Sequence, residues 1–186
     1  MPKHVHHAVD PARTRAARAR LIAAVLCLGL GAITPSLAAE QTVKVDDNSF
    51  QCMRKMLPVR HFYVDNLLGD KAGTLAAANA PKGAKYPAGS VVQLVPTEVM
   101  VKREAGFNAA TGDWEFFELS VDQTGTKIGK RGFAEVNNRF GKNCFTCHVP
   151  SPSPWCFIFE SDHNCEPIPF VRKMNRQLQR SDPRSG

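Results

Sequence analysis

The sequence predicts an α+β domain with a mainly antiparallel sheet, a meander, and flanking helices. Short β-branched segments separated by turn sequences run from Ser90 to Ile128, and segments with helical periodicity lie on either side of them. The chain has 186 residues, which suits one domain after removal of a targeting segment.

Helices are predicted before the meander. Phe50–Leu68 is apolar at helical spacing, and Pro58 predicts a break into two short helices. Leu75–Ala80 predicts a further helical turn. Proline and glycine in residues 81–89 indicate loops before the first strand of the meander.

The meander itself is predicted to have three or four strands. The turns are Thr111-Gly112-Asp113 and Asp122–Gly125, and the strand segments are Ser90–Leu94, Glu98–Arg103, Trp114–Val121 and Thr126–Ile128. Phe133–Phe140 then predicts a helix that leads to Cys144. Val171–Leu178 predicts a last amphipathic helix with Met174 packed on its apolar stripe, and Ser181–Gly186 a loose end.

The N-terminal segment has the features of a secretory signal. Four arginines precede a thirteen-residue apolar run, Leu21–Ile33, and Ser36-Leu37-Ala38 supplies small residues for cleavage. The sequence therefore predicts a signal peptide at 1–38, a single mature domain at 39–186, and a periplasmic or otherwise exported protein. The alternative is a retained anchor, although the run is short for a bilayer.

The basic charge belongs mostly to that segment. The whole chain carries a net charge of +7, but five of its 24 basic and one of its 17 acidic residues lie in 1–38, which leaves +3 on the mature chain. This balance does not favour nucleic-acid binding, and no nucleic-acid partner is expected.

The chemistry of the chain is concentrated in Cys144-Phe145-Thr146-Cys147-His148. Two thiols at this spacing can form bonds to the two vinyl groups of a haem, and a histidine directly after the second thiol can bind the iron. The motif therefore predicts covalently attached haem c, with Cys144 and Cys147 as attachment residues and His148 as the iron ligand.

Two other readings of the motif stay open. A Cys-x-x-Cys pair can be a redox disulfide, although such a pair usually opens a helix in a βαβ context that this sequence lacks. It can also be half of a zinc site, for which Cys156, His163 and Cys165 would supply the other half.

The sequence resembles the cytochrome P-460 family, which includes the cytochromes c′-beta. The resemblance spans about Tyr86 to Phe159, and the matching segments are Tyr86–Val92, Val99–Arg103, Gly112–Phe116 and Cys144–His148. It implies a mainly antiparallel sheet with flanking helices, often in a homodimer, and a five-coordinate haem with an open pocket. It also implies either binding of a small gas such as nitric oxide, with electron exchange with a redox partner protein, or oxidation of hydroxylamine.

The hydroxylamine-oxidising members of this family have a lysine crosslinked to the haem and a carboxylate in the pocket. Gln93 stands where the lysine is expected, and Lys102 is the other candidate, the alternative being an exposed strand lysine. Glu98 and Glu115 are candidate proton acceptors. Phe116 and Phe117 suit either a wall of the pocket or the core.

The sixth iron position stays open at this point. Met100, Glu98 and Lys102 share one face of their strand, and Val99 and Val101 share the other, so the face turned to the haem determines whether the pocket is polar or apolar. His61, His163 and Met174 are further candidate ligands, which would make the protein a six-coordinate electron carrier.

The remaining cysteines of the mature chain are Cys52, Cys156 and Cys165. In an oxidising compartment two of the three should pair. The short separation of Cys156 and Cys165 predicts a disulfide between them, and Cys52 is then left over, either buried or linking two chains.

Overall fold

A six-stranded antiparallel meander, with the strands in chain order, forms the centre of the fold in this computed structural model, which describes residues 41–138, 141–151 and 172–184. The strands are β1 (Leu57–Val59), β2 (Phe62–Asn66), β3 (Ser90–Val95), β4 (Glu98–Lys102), β5 (Trp114–Asp122) and β6 (Gly125–Gly132). The predicted fold class, an α+β domain with a mainly antiparallel sheet and flanking helices, is confirmed.

Three α-helices lie in the described part of the chain: α1 (Lys71–Asn79), α2 (Cys144–His148) and α3 (Arg172–Arg180). α1 begins earlier than predicted because Asp70 caps it, with its Oδ1 accepting a hydrogen bond of 2.8 Å from the amide of Gly73. Single 3-10 turns cover Asp47–Ser49, Met53–Lys55 and Ala109–Thr111. None of the helices in these ranges is long and apolar enough to cross a membrane.

The prediction of two helices in Phe50–Leu68 is wrong. Residues 57–66 form the hairpin of β1 and β2 instead, in which Val59 pairs with Phe62. Val59, Phe62 and Val64 are all buried in one cluster, so their spacing, which also fits a helix, is that of two strands joined by a tight turn. Pro58 is tolerated because β1 is an edge strand.

The sheet has a hydrophobic cluster on each face, because neighbouring residues of a strand point to opposite sides. The first cluster is formed by α1 together with Val92 of β3, Met100 of β4, and Trp114 and Phe116 of β5. The second cluster contains the N-terminal segment, with Phe50 and Met53, and the alternate strand residues Val91, Val99, Val101, Phe117 and Leu119.

The segment before the motif is not helical where the structure describes it, at 133–138, so the predicted helix there is wrong. Asn137 forms a bridge with Asn143, and the amide of Cys144 donates to the carbonyl of Val136 over 2.9 Å. Asparagine side chains compete with helical hydrogen bonds in this way: the amide of Lys142 donates to Oδ1 of Asn138 over 3.0 Å.

The C-terminal helix is confirmed, but its buried side differs from the predicted apolar stripe. Asn175 and Gln179 are buried, whereas 42% of Met174 is exposed, so the expectation that Met174 packs in the core is wrong. Asn175 and Gln179 are one turn apart and share the inner face of α3.

The chain end is not loose as far as the structure follows it. Oδ2 of the buried Asp182 accepts a hydrogen bond of 2.9 Å from the amide of Met53 and lies 2.7 Å from Nη2 of Arg184. Burial raises the pKa of Asp182, but the bonds from Arg184 and Met53 outweigh it and lower the pKa below its ordinary value.

Candidate functional site

The motif residues Cys144–His148 form the short helix α2, which is fixed at its start by Asn143. Oδ1 of Asn143 accepts a hydrogen bond of 2.9 Å from the amide of Thr146, and its Nδ2 donates to Oδ1 of Asn137 over 3.2 Å. Cys144 and His148 are four residues apart and so lie on the same face of α2.

That face looks into a cavity. Cys144, Cys147 and His148 all line it, it is partly open to solvent, and its volume is about 90 Å³. The rest of the lining is mostly apolar and includes Phe62, Val92, Leu94, Met100 and Phe116. His61, Glu98 and Asn138 bring polar groups to it.

The cavity lies on the face of the sheet that carries Met100. Met100 and Phe116 belong to the first cluster, against which Cys144 and Phe145 pack. The ring of Phe116 lies 5.5 Å from the His148 ring and 6.5 Å from the Phe145 ring, measured between centroids. Met100 and Glu98 of β4 thus line the cavity beside the motif, and Val99 and Phe117 also border it.

The residues present fit a haem c. Two thiols and an imidazole line one cavity with an apolar wall, which is the donor set that covalent attachment and one axial bond require. Burial and the negative charge of Glu98 raise the pKa of the Cys144 thiol to about 12, so the thiol is protonated in the protein alone.

The zinc alternative stays open, because Cys156, His163 and Cys165, which would complete the site, lie outside the described residues. Within the ranges 41–138, 141–151 and 172–184, no group of three or more His, Cys, Asp or Glu side chains is placed to hold a metal ion. A haem iron needs only one or two protein ligands because the porphyrin supplies four, so His148 alone meets the requirement. Cys156, His163 and Cys165, and with them the predicted disulfide, lie outside the described residues, as does the predicted signal peptide at 1–38.

Of the two candidate catalytic residues on β4, Glu98 lines the cavity and Lys102 does not. Lys102 is buried at the other end of the strand, where its Nζ donates to the carbonyl of Gly112 and lies 5.6 Å from the centre of the Trp114 ring. The alternative of an exposed strand lysine is therefore wrong.

Glu115, the other candidate proton acceptor, does not line the cavity. It is buried in an ion pair with Arg103, and its Oε1 lies 2.7 Å from Nε of Arg131. Arg131 also lies over the ring of Phe117, which packs in the second cluster, and none of Glu115, Arg103 and Arg131 lines the cavity. Phe117 is likewise in the second cluster with Phe50, so of the two phenylalanines only Phe116 has its ring in the cluster beside the motif.

Gln93 occupies the strand position at which the resemblance implies a lysine. It is buried, and its Nε2 donates to the carbonyl of Pro96 over 2.9 Å. Gln93 pairs with Tyr63 and Val99 and is not among the residues that line the cavity.

Sequence reasoning missed four residues of the cavity wall: Phe62, Val92, Leu94 and Asn138. The sequence pattern predicts a helix at Phe62, and a helix there excludes the β2–β3 pairing on which the positions of Val92 and Leu94 depend. The signal that could have found them is the alternation of Leu57 with Val59 and of Phe62 with Val64 on the two sides of Arg60–His61. His61, which the sequence offered as an iron ligand, does line the cavity.

Comparison with protein-family models, with curated proteins and with solved structures gives no match.

Proposed function

We propose that the protein is an exported mono-haem c-type cytochrome, with the haem bonded to Cys144 and Cys147 and its iron bound by His148. The observation that supports this proposal is the shared cavity: all three motif side chains line it, beside an apolar wall. A disulfide-forming pair or a zinc ligand pair would not need a cavity of this kind.

The proposed role of the cavity is to bind a small ligand of the iron, such as nitric oxide or another nitrogen oxide. Its lining is mostly apolar, while Glu98 and His61 bring polar groups to it. The haem, when bound, supplies an iron that binds such a ligand and exchanges electrons with a redox partner protein. Membership of the cytochrome P-460 family, export and a homodimer are parts of the same proposal.

A second candidate function, oxidation of hydroxylamine, is favoured by one observation. Glu98 lines the cavity together with Met100, so a carboxylate faces the proposed ligand site. A carboxylate placed there accepts a proton from the N–H or O–H of a bound amine as its electrons leave, which is the task of a general base.

The test is expression of the full chain in a host that exports and matures cytochromes c, followed by a denaturing gel stained for haem peroxidase activity. Covalent haem is expected in the wild type and should be lost in the double variant Cys144→Ala with Cys147→Ala. Cys52→Ser is the control. Cys52 is buried but does not line the cavity, so this variant should keep the haem stain.

Ligand binding is tested on the same protein by the absorption spectrum of the ferrous form with and without carbon monoxide. A five-coordinate spectrum that shifts on adding the gas supports the ligand-binding role. Haem stain that survives the double cysteine change, or zinc without haem in elemental analysis, would refute the proposal. A low-spin spectrum unaffected by the gas would make the protein an electron carrier instead.

A further inference from the structure

Within the described part of the chain, one histidine outside the motif lines the cavity. His61 lies in the two-residue turn Arg60–His61 that joins β1 to β2, next to the pair Val59 and Phe62. The attachment of haem, as proposed above, makes no use of this residue. Its position at the cavity therefore needs a separate account.

Arg60 in this turn has a backbone conformation that is unfavourable for a residue other than glycine. Arg60 has a φ of +50°, in the left-handed region that favours glycine. Nη2 of Arg60 donates to the carbonyl of Ala78 in α1 over 2.7 Å, which anchors the turn on one side. A non-glycine residue persists in this region only where its surroundings fix it, and such residues are concentrated at functional sites.

A second anchor comes from the C-terminal helix. Nε2 of the buried Gln179 donates to the carbonyl of His61 and to that of Leu94, both over 2.8 Å. Both acceptors belong to residues that line the cavity. One buried amide thus joins the β1–β2 turn to the end of β3 and fixes the backbone on this side of the cavity.

The His61 ring is oriented as well as its backbone. It meets the Phe62 ring edge to face, with centroids 5.3 Å apart and an angle of 84° between the planes. An imidazole carries an N–H that it can donate, which the thioether of Met100 and an ionised Glu98 cannot do.

We infer that His61 donates a hydrogen bond to a small ligand bound in the cavity, and that Gln179 is the residue that positions it. The inference rests on the proposed function, because it assumes a haem iron that holds the ligand. The ligands so favoured are diatomic gases and nitrogen oxides whose outer atom accepts a hydrogen bond.

The experiment is infrared spectroscopy of the carbon monoxide adduct of the ferrous holoprotein. An N–H close to the outer oxygen increases electron donation from iron into the ligand and lowers the C–O stretching frequency. His61→Leu should shift this band to higher wavenumber, and His61→Gln, which keeps a donor, should shift it less. Gln179→Leu should broaden the band and move it towards the position seen in His61→Leu.

Gln177→Leu is the matched control, because Gln177 lies on the same helix but is exposed. It should leave the band unchanged. The same band in wild type and His61→Leu would overturn the inference, as would a six-coordinate ferrous wild type that becomes five-coordinate in His61→Leu, since His61 would then be an iron ligand. A wild type without covalent haem would refute the proposed function itself, whereas an unchanged band in a haem-loaded variant refutes only the role of His61.

Discussion

The ring of Phe116 lies 5.5 Å from the imidazole of His148, centroid to centroid, at an angle of 39°. The next residue, Phe117, lies 5.3 Å from Phe50 on the other face of the sheet. Strand β5 therefore places one aromatic ring against the proposed iron ligand and packs the next against the N-terminal segment.

Phe116→Leu and Phe117→Leu are expected to have similar effects on stability and different effects on the haem. Each removes a fully buried ring, at a cost of about 1 kcal/mol in the free energy of unfolding. Phe116→Leu, and not Phe117→Leu, should shift the absorption bands of the ferrous protein, because of these two rings it is Phe116 that packs against His148. Urea unfolding and optical spectra measure the two effects, and equal band shifts in both variants would contradict the assignment.

The thiol of Cys144 should react slowly in the haem-free protein. Burial and the charge of Glu98 raise its pKa from 9.0 to about 12, so little thiolate forms at mildly alkaline pH. Glu98→Gln removes the negative charge that helps to raise this pKa, so it should speed the alkylation of Cys144 by iodoacetamide. Peptide mass spectrometry measures the rate of alkylation. Glu104→Gln, beyond the other end of β4, should not change the rate.

The haem-free protein should also lose stability as the pH rises above 9.0 towards about 12. The sign follows from the raised pKa: the unfolded thiol ionises first, so alkaline pH favours the unfolded state. Cys144→Ala should weaken this alkaline loss, as measured by urea midpoints across the range. An identical pH profile in that variant would show that Cys144 does not cause it.

Asp182→Asn should destabilise the protein by about 3 kcal/mol at neutral pH, because it leaves the buried Arg184 without its charged partner. The pKa of Asp182 is lowered in the fold, so this stabilisation is present above the ordinary aspartate pKa and is lost as the pH falls through the lowered value. The difference between variant and wild type should therefore shrink in acid. Asp122→Asn on the exposed hairpin end serves as the control.

Glu98→Gln should lower any hydroxylamine turnover by roughly 100-fold or more, since a positioned base contributes at least that much to proton removal. Glu118→Gln is matched to it, because Glu118 pairs with Glu98 across β4 and β5 but does not line the cavity. Turnover that is equal in both variants would remove Glu98 from the mechanism. Covalent haem should be unaffected in either case.

The strands of the meander were predictable because each is bounded by a turn with its own sequence signature, such as Asp122–Gly125. The hairpin of β1 and β2 was not, because its turn contains Arg60 and His61 in place of the glycine or asparagine that marks such a turn. Helical and alternating patterns coincide over so short a segment, and only pairing with β3 distinguishes them.

The site was predictable to the extent that it is local in sequence. Cys144, Cys147 and His148 lie within five consecutive residues, so one short helix brings them together. The role of Glu98 depended on which face of β4 meets the motif, and the burial of Lys102 depended on Trp114 and Gly112 of a neighbouring strand and turn. These are properties of register, which a one-residue shift reverses.

The bond from the amide of Met53 to Asp182 joins residues that are 129 positions apart. Because a polypeptide is synthesised from its N-terminus, Met53 leaves the ribosome long before its acceptor exists. Every nascent chain that ends before Asp182 therefore lacks a contact at its beginning as well as at its end. Removing the last five residues should damage the segment around Met53 first, although nothing in that segment has been changed.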